Sequence, residues 1–334
     1  MIWFLTISQT ESNNVHINNC NSNLLNISYG VPQGSILGPL LFLLYINDLP
    51  DVLNDCKMIM YADDVVLWYS DCNLNNIGNI MNSEMKHVHN WYNENKLIIN
   101  LKKSNFMVFH SNKKIMPLDV SPIFLGEHAL ERVFTVKYLG IYIQHNLLWS
   151  YHIRKLITKV AAYVGMISKI RHFFSQKILV MYYYSFIHSS ISYGSCVWGN
   201  TYQTSLKPII KLQKRAVRFI TFSEFTAHSK PLFQLLGILD FPNLFKFNII
   251  LTTFKINNSM LMSSIFQNNK AVHLHCTRQN ANSNFFINNI NTNYGKFKLT
   301  HMGPVLWNAL PNDLKALSNY NVFRKRVKGL LLYT

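Results

Sequence analysis

The sequence predicts an α+β protein, with a mixed strand-and-helix part followed by a mostly α-helical part. Three observations predict it. Hydrophobic residues make up 49% and aromatics 13% of 334 residues, enough for a large core without disulfide staples and too much for a disordered chain. Up to about residue 150, short apolar runs punctuated by Gly, Pro, Asn and Asp sit beside helix-period segments. From Tyr151 onward the apolar residues recur at three and four, the period of helices packed on one face. The change of character places a boundary near Ser150.

The elements of the first part follow in order. Residues 10–28 are rich in Asn and Ser, with short alternations such as Val15-His16-Ile17, and read as weak strands and turns. Gly30-Val31-Pro32-Gln33-Gly34 is a loop. Ser35 is placed to cap a following helix, in whose first turn Pro39 is tolerated. Residues 40–49 are apolar on nearly all sides, so this helix is expected to be buried. Residues 57–61 and 65–69 flank Ala62-Asp63-Asp64 as a β-hairpin. Leu74, Ile77, Met81, Met85, Val88 and Tyr92 define an amphipathic helix. Residues 97–99 and 106–109 read as strands around a polar turn, and 133–143 as a further strand pair or a bend, with Gly140 permitting close backbone approach.

In the second part Ile153, Leu156, Val160, Val164 and Ile167 give one helix period, and residues 178–189 and 206–222 give two more helices. Residues 267–295 are rich in Asn, Thr and Ser and read as a connection, and a last helix is expected over 320–332. The expected organisation is a first region over 1–150, a helical region over 151–265 and a C-terminal region over 266–334.

Lys and Arg number 32 against 15 Asp and Glu, a net charge of +17, yet charged residues are only 14% of the chain. The positive balance comes from a shortage of acids. Glu11 is the sole carboxylate side chain before Asp48. Such asymmetry favours a polyanionic partner, nucleic acid or an anionic membrane surface. The five cysteines are scattered with no C-x-x-C pair, which argues against a disulfide framework or zinc ribbon and fits a reducing compartment. The longest apolar run, 36–46, contains Gly38 and Pro39 and falls short of the ~20 residues of a membrane span. A soluble, intracellular protein with no membrane partner is expected.

Tyr61-Ala62-Asp63-Asp64 is the sharpest chemical feature. Two adjacent carboxylates at a hairpin tip repel each other unless a cation lies beside them. Mg²⁺ suits that place, because it takes oxygen ligands and typically uses one or two carboxylates plus substrate phosphates. The motif is therefore either half of a two-metal phosphoryl-transfer site or a solvated Asp-Asp turn.

Its neighbours bear on the choice. Residues 30–42 read Gly-Val-Pro-Gln-Gly-Ser-Ile-Leu-Gly-Pro-Leu-Leu-Phe, and 45–50 read Tyr-Ile-Asn-Asp-Leu-Pro. The acidic motif, Trp91, Asn95, Leu97, Asn100, Lys103, Ser104 and then Lys137-Tyr138-Leu139-Gly140 follow. In this order and spacing the sequence resembles the reverse transcriptases of non-LTR (LINE-type) retrotransposons. Tyr193-Gly194, Trp198-Gly199 and Leu306-Trp307-Asn308-Ala309-Leu310-Pro311 look like the C-terminal region that follows the polymerase in such elements.

The resemblance implies a partial polymerase palm, an antiparallel sheet with packed helices, followed by a helical thumb. It implies an RNA-directed DNA polymerase acting on an RNA template, a DNA primer and deoxynucleotides. Asp63 matches the family's Mg²⁺ ligand and Asp64 its companion. Pro32, Gln33, Gly34, Ser35 and Tyr61 match the nucleotide and template pocket, where Gly34 lets backbone approach a base and Gln33 offers a donor and an acceptor. Lys103 matches a lysine near the leaving pyrophosphate, and Leu139-Gly140 the turn that supports the primer end. The family's third carboxylate lies on a palm strand before the Pro-Gln-Gly loop, where this sequence offers only Glu11. The expectation is an N-terminally truncated polymerase with an incomplete Mg²⁺ site, inactive as it stands.

Lys207, Lys211, Lys214, Arg215 and Arg218 form one helical stripe, which fits either a nucleic-acid backbone or a solvated face. Arg324, Lys325, Arg326 and Lys328 form a second basic cluster, open to the same two readings. Tyr182, Tyr183, Tyr184, Tyr193 and Trp198 are read as core rather than as base-stacking residues. His273, His275 and Cys276 lack a second ligand pair for zinc, and His87 and His89 do not share a helix face. The alternative function is a non-catalytic basic protein that binds RNA or an RNA–DNA duplex.

Overall fold

The computed structural model describes residues 12–13, 16–17, 20–23, 25–26, 34–110, 120–261, 265–266 and 284–333. The chain forms two compact units, Met1–Val133 and Phe134–Thr334.

In the first unit, α1 (Gly38–Tyr45) leads through a 3₁₀ turn (Leu49–Val52) to the antiparallel hairpin β1 (Lys57–Tyr61) and β2 (Asp64–Trp68). Period-2 alternation sets the hairpin's faces. Met58, Met60, Val65 and Leu67 point to one side and pack on Val88 and Trp91 of α2 (Leu74–Glu94), together with Ile46 and Leu49. The α2 helix begins where the Asn73 side chain accepts from the Asn75 amide. Its Glu84 is buried, and its carboxylate accepts from the amides of Asn54 (3.1 Å) and Asp55 (3.3 Å) just before β1. That satisfies a group that would be costly to bury alone.

Three expectations need correction here. The helix predicted over 40–49 is not buried: among α1 residues only Gly38 is, while Ile36 just before it is 95% exposed and Leu44 is 65% exposed. Apolar pattern states what gains from burial, not what arrives to cover it; here only Phe42 and the turn after the helix meet the α2–hairpin core. Ser35 does not cap this helix, because the capping position is Leu37, two residues beyond the serine, and it makes no side-chain cap bond. The strands predicted over 97–99 and 106–109 reduce to Asn105–Phe106, paired in parallel with Glu131–Arg132. Ile99 and Phe106 still pack inward, around Met85, Ile123 and Leu125.

The second unit opens with the hairpin β3 (Thr135–Tyr138) and β4 (Ile141–Gln144). The helix α3 (Ser150–Ile170) follows and buries the predicted face Ile153, Leu156, Val160, Val164 and Ile167 against α5 (Gln203–Ile220). Between them runs α4 (Gln176–Tyr182), which continues into a π-helical turn, Tyr183–His188. After α6 (Ser229–Leu236) comes α7 (Phe241–Asn257), buried on nearly every side. The sequence reading names no helix there, because its apolar residues are spread around all sides and leave no amphipathic period to reveal it. Gln213 on α5 is fully buried and fully used: it donates to Tyr183 Oη (2.7 Å) and the Leu239 carbonyl (2.9 Å), and accepts from the Phe241 amide (2.8 Å). Residues of α8 (Leu299–Asn308) and α9 (Tyr320–Tyr333) enter the same core, with Phe323 stacked on Phe254 at 4.2 Å between ring centres.

Among the described residues no single helix is long and apolar enough to cross a membrane. The bent pair α6 and α7 is apolar enough taken together, but α7 is apolar because it lies in the core.

Candidate functional site

The acidic motif sits at the tip of β1–β2. Tyr61 and Asp64 face each other in the ladder, so Ala62 and Asp63 form a two-residue turn. Ala62 takes a left-handed backbone, φ 52°, as such tight turns require. Asp63 and Asp64 are both exposed. The outward face of the hairpin carries Ile59, Tyr61 and Trp68, all exposed, with Lys57 Nζ 5.1 Å from the centre of the Trp68 ring. The hairpin's apolar residues are thus half-buried chiefly on one face, and the carboxylates belong to the open side.

Chemically, the tip presents two carboxylates from one direction. Among the described residues no three His, Cys, Asp or Glu side chains converge into a metal cage. The donors present fit one side of a Mg²⁺ ion whose other ligands are waters and substrate phosphates. They do not fit the clamp around a pair of ions, which needs carboxylates facing from the other side.

Pro32 and Gln33 lie outside the described residues. Gly34 has φ +89° with open space where a Cβ would sit, and Ser35 beside it is half-buried. Lys103 is exposed in the turn after Asn100, whose carbonyl accepts from the Lys103 amide at 3.1 Å. Among the described residues no ion pair or hydrogen bond joins Lys103 to Asp63 or Asp64. The thiol of Cys56 is pushed up to about 11, chiefly by burial and then by the charges of Glu84 and Asp55, so it is no nucleophile at neutral pH.

In the second unit Leu139 and Gly140 form the β3–β4 turn, both left-handed at φ 44° and 81°. The turn borders a cleft of about 480 Å³ lined by Lys137, Lys155, Lys159, Ser189 and Tyr193. The sequence reading missed Lys155 and Lys159; their signal was an i, i+4 pair on α3 off its apolar stripe. His152 in the same wall is held below the ordinary histidine range by burial.

The basic stripe lies on α5. Lys207, Lys211 and Arg215 are exposed, and Lys214 and Arg218 are half-buried. Arg218 donates from Nε (2.9 Å) and Nη2 (2.7 Å) to the Ala227 carbonyl, tying down the loop after the helix. Tyr183 and Trp198 are fully buried core residues, whereas Tyr193 is exposed. His273, His275 and Cys276 lie outside the described residues, as does Glu11.

Comparison with known proteins adds the following. Residues 3–143 match the family model for reverse transcriptase (RNA-dependent DNA polymerase). The chain is 28% identical over 209 residues to a probable RNA-directed DNA polymerase from transposon X-element of Drosophila melanogaster, a match covering 60% of this chain and 22% of that protein. It is 26% identical over 218 residues to the RNA-directed DNA polymerase from mobile element jockey of the same fly, covering 62% of this chain and 23% of that protein. It is 26% identical over 198 residues to a retrovirus-related Pol polyprotein from type-1 retrotransposable element R1 of Nasonia vitripennis, covering 56% of this chain and 58% of that protein. The chain thus spans about a quarter or less of the two fly proteins.

Proposed function

From the match of residues 3–143 to the reverse transcriptase family model and the similarity to RNA-directed DNA polymerases of transposons, we propose that this chain carries part of a site for RNA-templated DNA synthesis. The reaction of that site is attack of a primer 3′-OH on the α-phosphorus of a deoxynucleotide, with pyrophosphate leaving. Bound Mg²⁺ supplies charge neutralisation at the phosphates in this chemistry. Asp63, with Asp64 beside it, would hold that ion from the hairpin side.

The other residues have positioning work. Gly34 leaves room for a base, and Ser35 and Tyr61 serve nucleotide and template binding, a role that Pro32 and Gln33 share by their place in the sequence motif. Lys103 neutralises charge on the departing pyrophosphate. Leu139 and Gly140 support the primer end, and the α5 stripe of Lys207, Lys211, Lys214, Arg215 and Arg218 follows the backbone of the RNA–DNA duplex. In this reading 1–150 acts in the palm, 151–265 as the thumb and 266–334 as the region that follows the polymerase. The protein works inside the cell, on nucleic acid.

The observation that carries the reading is the pairing of an exposed Asp63-Asp64 tip with a matching family segment around it. The reading carries a further expectation: with carboxylates from one hairpin holding one side of the ion pair, this chain is expected to bind primer-template without extending it. The test is a binding and extension assay on an RNA template with a DNA primer, Mg²⁺ and deoxynucleotides. Binding that weakens steeply from 50 to 200 mM salt, with no extension, supports the reading. Asp63-dependent extension overturns the inactivity, and salt-independent or absent binding overturns the interface.

A further inference from the structure

The turn between α3 and α4 and the loop between α5 and α6 meet at one end of the second unit. Arg171 of the first lies over two rings, Phe219 at 5.3 Å and Phe222 at 5.5 Å. His172 meets Phe222 edge-on at 5.9 Å. Arg215 also lies over Phe219, at 5.2 Å. Three further features set this tip apart. Phe173 is 83% exposed, Phe225 75% and Phe222 52%, although phenylalanine normally gains from burial. Phe222 is held in the left-handed backbone region, φ 54°, a conformation that costs a bulky residue about 1–2 kcal/mol. The segments 169–175 and 215–230 contain Lys169, Arg171, Arg215, Arg218 and Lys230 against the single acid Glu224.

We propose that this tip is a site for single-stranded nucleic acid, in which Phe173, Phe222 and Phe225 stack unpaired bases while Arg171 and Arg215 hold the adjoining phosphates. Exposed rings interleaved with guanidinium groups are what such a strand needs, since every base has a face to stack and every linkage carries a charge. A duplex keeps its bases stacked on one another and has no use for the rings; it is served by the lysines further along α5. A neutral protein partner would leave the cationic excess uncompensated. The inference rests on the nucleic-acid reading of α5, because both require a polyanion, and it adds the state of the strand and the residues that sense it.

The experiment measures binding of the full 334-residue chain to a 12-nucleotide single-stranded RNA, its DNA counterpart, an RNA–DNA duplex of the same length, and vesicles of phosphatidylserine and phosphatidylcholine. Two variants are compared with the parent: F173A/F225A, and K207A/K211A. Exposed positions keep both variants folded, which circular dichroism verifies. The expected result for F173A/F225A is at least about tenfold weaker binding to the single strands, since each stacked base is worth on the order of 1–3 kcal/mol, with less than a twofold change for the duplex. Loss for RNA alone, or for RNA and DNA alike, supports the proposal. Unchanged single-strand affinity, equal loss for the duplex, or phenylalanine-dependent binding only to vesicles overturns it. If K207A/K211A leaves every affinity unchanged while F173A/F225A does not, the α5 stripe reading fails and the tip stands; the reverse pattern removes the tip and keeps the stripe.

Discussion

Tyr193 donates its hydroxyl to the Leu139 carbonyl at 2.6 Å, and its ring lies 3.3 Å from the place a Cβ on Gly140 would occupy. One aromatic side chain thus ties the β3–β4 turn to the helices of the second unit. Gly140 also stands at φ 81°, so a side chain there meets both an unfavourable backbone and the ring.

Gly140→Ala is therefore expected to destabilise the second unit by about 1–2 kcal/mol from backbone strain alone. Tyr193→Phe is expected to cost about 1 kcal/mol, the worth of one hydrogen bond. Urea unfolding of both variants checks this. Under the primer-support reading, both also weaken primer-template binding; an effect on stability without one on binding assigns the turn a structural role only.

Acid should unfold the protein partly through His188. Burial, and then the nearby charges of Lys328 and Arg324, lower its pKa from 6.5 to about 4. Its ring packs beside Tyr184 at 5.0 Å, and its Nδ1 is buried without a hydrogen-bond partner. The neutral ring is the form the fold prefers, so between pH 6.5 and about 4 the unfolded chain binds more protons than the native one. Stability is then fully present above pH 6.5 and falls as pH drops towards 4, by up to about 3 kcal/mol at the acid end. His188→Gln should flatten that part of the pH–stability curve. A curve that keeps its slope in the variant contradicts the assignment.

Much of this structure is legible in the sequence, for identifiable reasons. The β1–β2 and β3–β4 hairpins show because alternating apolar runs flank turn residues. The α3 face shows because Ile153 to Ile167 keep a helical period along one stripe. The α7 helix does not show, because a residue set such as Phe247, Ile249, Ile250 and Leu251, apolar on every side, has no period. The exposure of α1 does not show either, since Leu40 and Leu44 register hydrophobicity but not the presence of a neighbour. Of the proposed site, the carboxylates and glycines stand in the sequence as a motif. The proposed Phe–Arg tip is not legible there, because Arg171 and His172 lie far from Phe222 in the chain and meet it only in the fold.

The C-terminal helices complete the core of the second unit. Phe323 is fully buried against Phe254 and Trp307. Phe323→Ala is expected to cost on the order of 3–5 kcal/mol and to lower the unfolding of residues 134–334 as one transition. Measured by denaturant titration followed through tryptophan fluorescence, a cost below about 1 kcal/mol would show that α9 packs loosely and that 320–333 is dispensable to this unit.

Under the proposed function, one hairpin supplies one side of a metal site. Counting Mn²⁺ by electron paramagnetic resonance, with the chain saturated by primer-template and a non-hydrolysable deoxynucleotide, tests it most directly. The expected count is at most one protein-dependent ion per chain, lost in Asp63→Asn. Two tightly bound ions per chain, both lost in that variant, would contradict it.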